Sequence, residues 1–321
     1  MSSQGRVFSL VALAAVVASG VVVAGVLATR GHVPATAKPR AGHPPLALDF
    51  NVRTDAEARA LTNAEQLYAH DQADRAATVF ARYHSLEAQV GGALAAWPNG
   101  SLERLQQLQA DHPRSALVAL HLGLALYWTH HDAEAGAAWQ AARRDQPDTP
   151  YAVRATDLLH PQYAPGLPRF VPSFRQPLQI RVLPAAMQLA ALRRAAAGSN
   201  VRLKLLYGVA LQQLGRPRSA ERQYAAAARL APENAEARVA QAVGLFDKAN
   251  PVRAFSRLGP LTRVFPRAQT VRFHLGLLLV WSGQVTAARK QFRLAQKQAP
   301  RAPLGREATR YLAVLARVGT K

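Results

Sequence analysis

A fixed spacing of prolines is the feature that most limits how this chain can fold. Pro232, Pro266 and Pro300 lie 34 residues apart, and each one follows a run of helix-forming residues. Proline ends a helix, because it lacks a backbone N–H and its ring collides with the preceding turn. Helices that end at a constant interval indicate a stacked helical repeat, in which each unit packs on its neighbours.

The residues between these prolines recur as well. The unit before Pro232 contains Tyr207-Gly208, Leu211, Gly215, Ala220, Tyr224 and Ala227, and the unit before Pro300 contains Leu275-Gly276, Leu279, Gly283, Ala288, Phe292 and Ala295. A further unit at 116–149 contains Leu122-Gly123, Leu126, Ala135, Trp139, Ala142 and Pro147. This pattern of small and large residues resembles the tetratricopeptide repeat. The units at 57–90 and 82–115 depart from it, and we interpret them as degenerate or capping repeats.

The resemblance implies an all-α protein, an α-α superhelical solenoid of tetratricopeptide-like helix pairs. Each pair has a first helix, A, and a second helix, B. We expect N-terminal repeats over residues 51–159 and a C-terminal basic array over residues 185–321, closed by a capping helix after Pro303. Gly208 and Gly276 should let helix A approach helix B closely. Gly215 and Gly283 should close the A-to-B turn in the left-handed conformation, which glycine adopts cheaply.

A proline-rich insertion over residues 160–184 separates the two arrays. We interpret the flanking stretches 150–159 and 185–197 as the A and B helices of one split repeat. The insertion contains six prolines, so we predict a polyproline-like loop without helix that packs across the array. Two roles stay open for this loop, a structural crossover and the recognition of a ligand.

The N-terminus predicts attachment to a membrane. Residues 7–29 carry no charged side chain and are numerous enough to cross a bilayer as a helix. We therefore expect a transmembrane anchor within residues 1–30, a Pro/Ala-rich tether over residues 31–50, and a single-pass membrane protein whose folded part lies outside the cytoplasm. The alternative is a signal peptide cleaved near Ala37.

Positive charge is concentrated in the C-terminal half. Residues 169–321 contain 27 Lys and Arg against 5 acidic residues, whereas residues 1–168 contain 13 against 14. Position 29 of successive repeats is occupied by Arg229, Arg263 and Lys297, which should stack into a basic ridge on the outer side of the array. The ridge fits an anionic lipid or polymer, or is simply a solvated face. Nucleic acid is an unlikely partner, because aromatic side chains do not alternate with the basic ones.

In arrays that resemble this family, the A helices line a concave groove. The groove positions that we single out here are Leu120, Leu124, Tyr127, Trp128, Val209, Gln212, Phe246, Phe273, Leu277 and Trp281. Such an apolar and aromatic groove predicts a scaffold that binds a protein or peptide ligand. The alternatives are that the insertion or a partner covers the groove, and that the chain is a structural envelope component. A carboxylate clamp is not expected, because only Arg202 and Gln212 have comparable side chains.

The sequence gives no reason to expect catalysis. The chain has no cysteine, which excludes disulfides and thiolate chemistry, and it contains none of the common nucleotide, hydrolase or zinc-protease motifs. We therefore expect no enzymatic activity, no cofactor and no metal. The run from His130 to Glu134 fits a polar turn better than a metal site. His121 and His274 share one repeat position, and we attribute both to packing.

Overall fold

The computed structural model describes residues 39–318, and every regular element within that range is a helix. The predicted anchor over residues 1–30 and the first part of the tether lie outside the described residues. Within residues 39–318, no helix combines the length and the apolar character that crossing a membrane requires. The described chain divides into two compact units, residues 39–159 and residues 160–318.

The N-terminal unit contains seven helices within its described residues. They are α1 (Ala56–Ala69), α2 (Ala73–Phe80), α3 (Leu86–Ala95), α4 (Ser101–Asp111), α5 (Ala116–Trp128), α6 (Asp132–Asp145) and α7 (Pro150–Leu159). Each helix packs on the next, and α7 also packs on α5. The pairs α1–α2, α3–α4 and α5–α6 are three helix pairs of the predicted kind, so the degenerate stretches fold as repeats too.

The C-terminal unit contains ten helices within its described residues. They are α8 (Leu178–Arg181), α9 (Ala185–Ala195), α10 (Val201–Gln213), α11 (Pro217–Leu230), α12 (Ala235–Gly244), α13 (Val252–Leu258), α14 (Leu261–Val264), α15 (Gln269–Trp281), α16 (Val285–Gln298) and α17 (Pro303–Val318). The pairs α10–α11 and α15–α16 carry the clearest repeats, and α17 packs on α16 as the expected terminal helix. The B helix of the middle repeat is split into α13 and α14 at Gly259 and Pro260, because proline interrupts helical hydrogen bonding.

Side-chain caps set where most A helices begin. Ser115, Asn200 and Asn234 precede α5, α10 and α12, and each side chain accepts a hydrogen bond from the backbone N–H three residues later. Such a cap satisfies one of the donors that a helix start leaves unpaired. Helix α15 lacks a side-chain cap at Ala268, so the cap is common to the A helices without being universal.

Glycines allow A and B helices to approach closely, as the sequence predicted. A Cβ atom built on Gly208 would lie 2.3 Å from Cε1 of Tyr224, and one built on Gly276 would lie 2.8 Å from Cε1 of Phe292. Both distances are well below van der Waals contact, so a larger residue would displace the ring. Gly215 and Gly283 have φ angles of 63° and 71°, which confirms the left-handed turns.

The split-repeat interpretation is wrong. Residues 150–159 form α7, which packs on α5 and α6 and closes the N-terminal unit, whereas α9 packs on α10 in the C-terminal unit. Helix α7 buries Ala152, Ala155 and Thr156. The insertion also contains the short helix α8, where the sequence predicted none.

Candidate functional site

An extended stretch, residues 40–50, lies on the A helices of the N-terminal unit, and we call it the first groove segment. The backbone N–H of Arg40 donates to the carbonyl of Trp128 at 2.8 Å, and that of Ala47 donates to Nε2 of His121 at 3.1 Å. The side chains of Leu46 and Ala47 are 8% and 6% exposed. The sequence placed these residues in a tether, and the structure places them against α1, α5 and α7.

Electrostatic contacts hold the start of this segment at the end of α5. The guanidinium of Arg40 lies 4.0 Å from the ring centroid of Tyr127, and its Nε donates to the carbonyl of Tyr127 at 2.8 Å. Nη2 of Arg40 lies 2.7 Å from the carboxylate of Asp132. Further along, the hydroxyl of Tyr68 donates to the carbonyl of Pro44 at 2.8 Å. The segment is therefore fixed by its backbone as well as by its apolar side chains.

A second extended stretch, residues 164–174, lies on the A helices of the C-terminal unit, and we call it the second groove segment. The backbone N–H of Ala164 donates to the carbonyl of Trp281 at 3.3 Å, and that of Val171 donates to Nε2 of His274 at 2.9 Å. Nε1 of Trp281 in turn donates to the carbonyl of Gly166 at 3.2 Å, and Nζ of the buried Lys248 donates to that of Ala164 at 2.6 Å. The predicted packing of the insertion across the array is confirmed within this unit.

Phe170 is the apolar centre of the second groove segment. Its side chain is 1% exposed, its ring stacks on His274 with 5.0 Å between centroids, and it meets Tyr224 edge-on at 5.6 Å. The backbone N–H of Phe170 donates to Oε1 of Gln212 at 2.9 Å, which also accepts from the hydroxyl of Tyr224 at 2.8 Å. Gln212 is thus a fixed acceptor for extended backbone.

The two histidines are fully buried, in line with the packing role expected from the sequence, and they also act as hydrogen-bond acceptors. Nδ1 of His121 lies 2.7 Å from the carbonyl of Leu117, and Nδ1 of His274 lies 2.7 Å from that of Thr270. A carbonyl can only accept, so the proton is on Nδ1, and Nε2 is left to accept from the segment. Burial lowers the pKa of each ring to about 4, which keeps both rings neutral.

The two segments are held in the same register. In each of them, one backbone N–H bonds the carbonyl of a tryptophan, and the N–H seven residues later bonds the Nε2 atom of a histidine. Gly42 and Gly166 occupy equivalent places between these bonds, with φ angles of 80° and 72° that favour glycine. The sequences are RAGHPPLALDF and APGLPRFVPSF. Both grooves therefore bind an extended chain that contains glycine, proline and one central apolar residue.

The predicted groove residues are largely covered. Leu120, Leu124, Phe246, Phe273, Leu277 and Trp281 are buried, whereas Tyr127, Trp128, Val209 and Gln212 are partly exposed. Phe273 is fully buried and contacts the rings of Phe292 and Tyr311, so it belongs to the core between helices. The sequence left open that the insertion covers the groove, and this is the case in the second groove. The first groove is covered by the end of the predicted tether.

The predicted ridge residues are exposed. Arg229, Arg263 and Lys297 all have exposed side chains on B helices. Arg202, the other candidate cation, is exposed, and its guanidinium lies 5.1 Å from the ring centroid of Phe174, at the end of the second groove segment. Asp132, which the sequence placed in a polar turn, pairs with Arg40.

The sequence analysis matched His121 with His274 but missed that each unit also carries a matching groove segment, although a signal was present. Residues 121–128 read HLGLALYW and residues 274–281 read HLGLLLVW, so six of eight positions are identical. The 34-residue period concealed this longer repeat. An alignment at the longer interval would have drawn attention to the glycine and proline that the two segments share.

No protein-family model and no curated protein matches the sequence. Among solved structures, the chain is similar to human IFIT1 bound to m7Gppp-AAAA, with 18% identity and a TM-score of 0.36 over 85% of this chain and 66% of IFIT1. It is similar to a tetratricopeptide repeat protein from Parabacteroides merdae, with 10% identity and a TM-score of 0.34 over 81% of this chain and 98% of that one. It is also similar to the TPR2AB domain of yeast Sti1 in its pHSP90 complex, with 12% identity and a TM-score of 0.30 over 81% of this chain and 98% of that one.

The chain spans just under two thirds of the IFIT1 chain. These identities and TM-scores are too low to assign the fold. The assignment depends instead on the helix pairs of this chain. The A and B helices, the small residues at their contacts and the left-handed turns between them are those of a tetratricopeptide-like repeat protein.

Proposed function

We propose that this chain is a scaffold that binds extended segments of partner proteins in the grooves formed by its A helices, and that it works by binding rather than by catalysis. The observation that carries the proposal is the shared register of the two groove segments. Each unit presents a neutral histidine and a tryptophan carbonyl at the same separation as acceptors for extended backbone.

The chemistry of the grooves indicates which partner segments would fit. Backbone N–H groups meet fixed acceptors, so affinity comes from main-chain hydrogen bonds, as in other modes of extended-peptide recognition. Selectivity comes from one buried apolar side chain, Leu46 in the first groove and Phe170 in the second. A left-handed glycine four residues before that side chain completes the motif. The expected ligand is an extended Gly-x-Pro-x-apolar segment that exchanges with the chain's own.

A labelled peptide with the sequence of residues 39–50 tests this proposal. The substitution Leu46→Asp in the full chain should release the first groove segment, because it places a charge at a position that is 8% exposed. Fluorescence anisotropy in detergent should then show saturable binding of the peptide. Pro45→Asp is the matched control, since it introduces the same charge at the adjacent, exposed residue.

Binding should weaken when His121→Ala is added to Leu46→Asp, because the peptide then loses its backbone acceptor. Circular dichroism confirms that each variant is folded. A folded Leu46→Asp variant that binds no peptide, or one that binds it equally well without His121, would show that the groove does not recognise extended segments.

A second candidate function is supported by the exposed basic ridge of Arg229, Arg263 and Lys297. In this version the chain is a structural envelope component whose outer face contacts an anionic polymer or lipid. Retention of the full chain on heparin should fall when these three residues are changed to Gln. An equal loss after Gln substitution of Arg59, Arg75 and Arg82, three exposed arginines of the N-terminal unit, would show that only net charge matters.

We also propose that residues 7–29 anchor the chain in a membrane with the folded part outside the cytoplasm. The support is the length of this uncharged apolar stretch. Alkaline carbonate extraction should leave the protein with the membranes. Recovery in the soluble fraction, with a new N-terminus near Ala37, would identify a cleaved signal peptide instead.

A further inference from the structure

One short surface of the C-terminal unit exposes large apolar side chains. Leu178, Val182 and Met187 are 58%, 68% and 59% exposed, whereas most aliphatic side chains of comparable size in the described residues are buried. They lie within ten residues: Leu178 begins α8, Val182 directly follows α8, and Met187 is near the start of α9. Helix α8 buries none of its residues, and α9 buries only Leu192. We call residues 178–187 the apolar patch.

The charged side chains along the sequence of the apolar patch and its flanks are all of one sign. Arg175 precedes it, Arg181 lies within it, and Arg193 and Arg194 follow it, all with exposed side chains. Residues 158–220 contain no Asp or Glu, so no acidic side chain of this stretch neutralises these arginines. A stretch that combines exposed aliphatic side chains with arginines and contains no acidic residue has the composition of segments that lie in the interface of an anionic bilayer.

We propose that the apolar patch inserts into the surface of a membrane that contains anionic lipid, with the arginines on its head groups. An acidic protein is a poorer fit, because the three aliphatic side chains stand exposed on α8, directly after it and on α9. They would enter the boundary of the acyl chains without needing complementary shape. This contact goes beyond the binding of segments in the grooves, and it involves neither groove nor the basic ridge.

The absence of cysteine in the chain permits a direct test with single labels. Val182→Cys places an environment-sensitive fluorophore in the patch, and Val252→Cys is a matched control, because the two valines are 68% and 67% exposed. The full chain is reconstituted in vesicles of phosphatidylcholine, with or without phosphatidylglycerol. With the anionic lipid, emission of the fluorophore at position 182 should shift to the blue and be quenched by brominated lipid. The fluorophore at position 252 should keep the emission of a water-exposed label and should not be quenched.

Charge reversal distinguishes insertion from simple proximity to the bilayer. Arg181→Glu should abolish the blue shift at position 182, and Arg257→Glu, at another exposed arginine, should leave it unchanged. Equal quenching at 182 and 252, or no shift at 182 in anionic vesicles, would overturn the proposal. A shift that needs no lipid and grows with protein concentration would also overturn it, since the occupant would then be a second copy. None of these results depends on peptide binding to the grooves.

Discussion

Nε2 of His274 accepts a hydrogen bond of 2.9 Å from the backbone N–H of Val171, 103 residues earlier in the chain. The substitution His274→Ala removes this acceptor and leaves the N–H without a partner in the groove. We expect the free energy of unfolding to fall by about 1–3 kcal/mol, the usual cost of an unsatisfied buried donor. Urea denaturation measures it. His84→Ala, at an exposed histidine, should change stability little, and equal losses from both variants would contradict the assigned role.

Stability should depend on pH through the same rings. Burial lowers the pKa of His121 and His274 to about 4, whereas an unfolded histidine titrates near pH 6.5. The unfolded chain therefore binds more protons between these values. Each neutral ring therefore contributes on the order of 3 kcal/mol to the free energy of unfolding. This contribution is fully present above about pH 6.5 and is lost as the pH falls towards 4.

Urea midpoints measured at several pH values test this dependence. His274→Ala should reduce the slope below neutral pH to about half, since one of two equivalent rings remains. Burial raises the pKa of Glu65 and Glu236, so these carboxyls make stability rise as the pH falls. Both are present in the parent chain and in the variant, so their effect cancels in the comparison. An unchanged slope in the variant would show that His274 is not held neutral.

The tryptophans that end α5 and α15 should respond differently to one substitution. Nε1 of Trp281 donates to the carbonyl of Gly166, whereas Nε1 of Trp128 is buried and has no partner within the described residues. Trp281→Phe should therefore cost about 0.5–1.5 kcal/mol more than Trp128→Phe, because only the first substitution removes a hydrogen bond. Thermal unfolding of the two variants measures the difference, and the reverse order would be inconsistent with these contacts.

Glycine substitutions should separate close packing from helix propensity. Gly208→Ala places a methyl group 2.3 Å from the ring of Tyr224, and overpacking of this kind costs about 1–3 kcal/mol. Gly136→Ala, in α6, meets nothing within 4 Å and should stabilise by about 0.5–1 kcal/mol, because alanine favours the helix. Melting temperatures of the two variants should move in opposite directions, and a shared direction would contradict the contact with Tyr224.

The repeats could be predicted from the sequence because they are local. Pro232, Pro266 and Pro300 mark the ends of helical runs, and the spacing of Gly208 and Tyr224 specifies a contact between helices that adjoin in the chain. The contents of the grooves could not be predicted in this way. Val171 meets His274 across 103 residues, and a proline-rich sequence shows that a segment is extended without showing where it lies.

Because each groove segment is covalently attached, a ligand from another molecule must compete with it for the groove. Only residues 51–55 separate the first groove segment from α1, and a short connection of this kind maintains a local concentration on the order of millimolar. If the attached segment binds its groove with an intrinsic Kd of about 10 µM, a free peptide would bind the occupied groove about 100-fold more weakly than the empty one. A successful competitor must contact additional surface or be delivered at high local concentration, as it would be when both molecules are confined to one membrane.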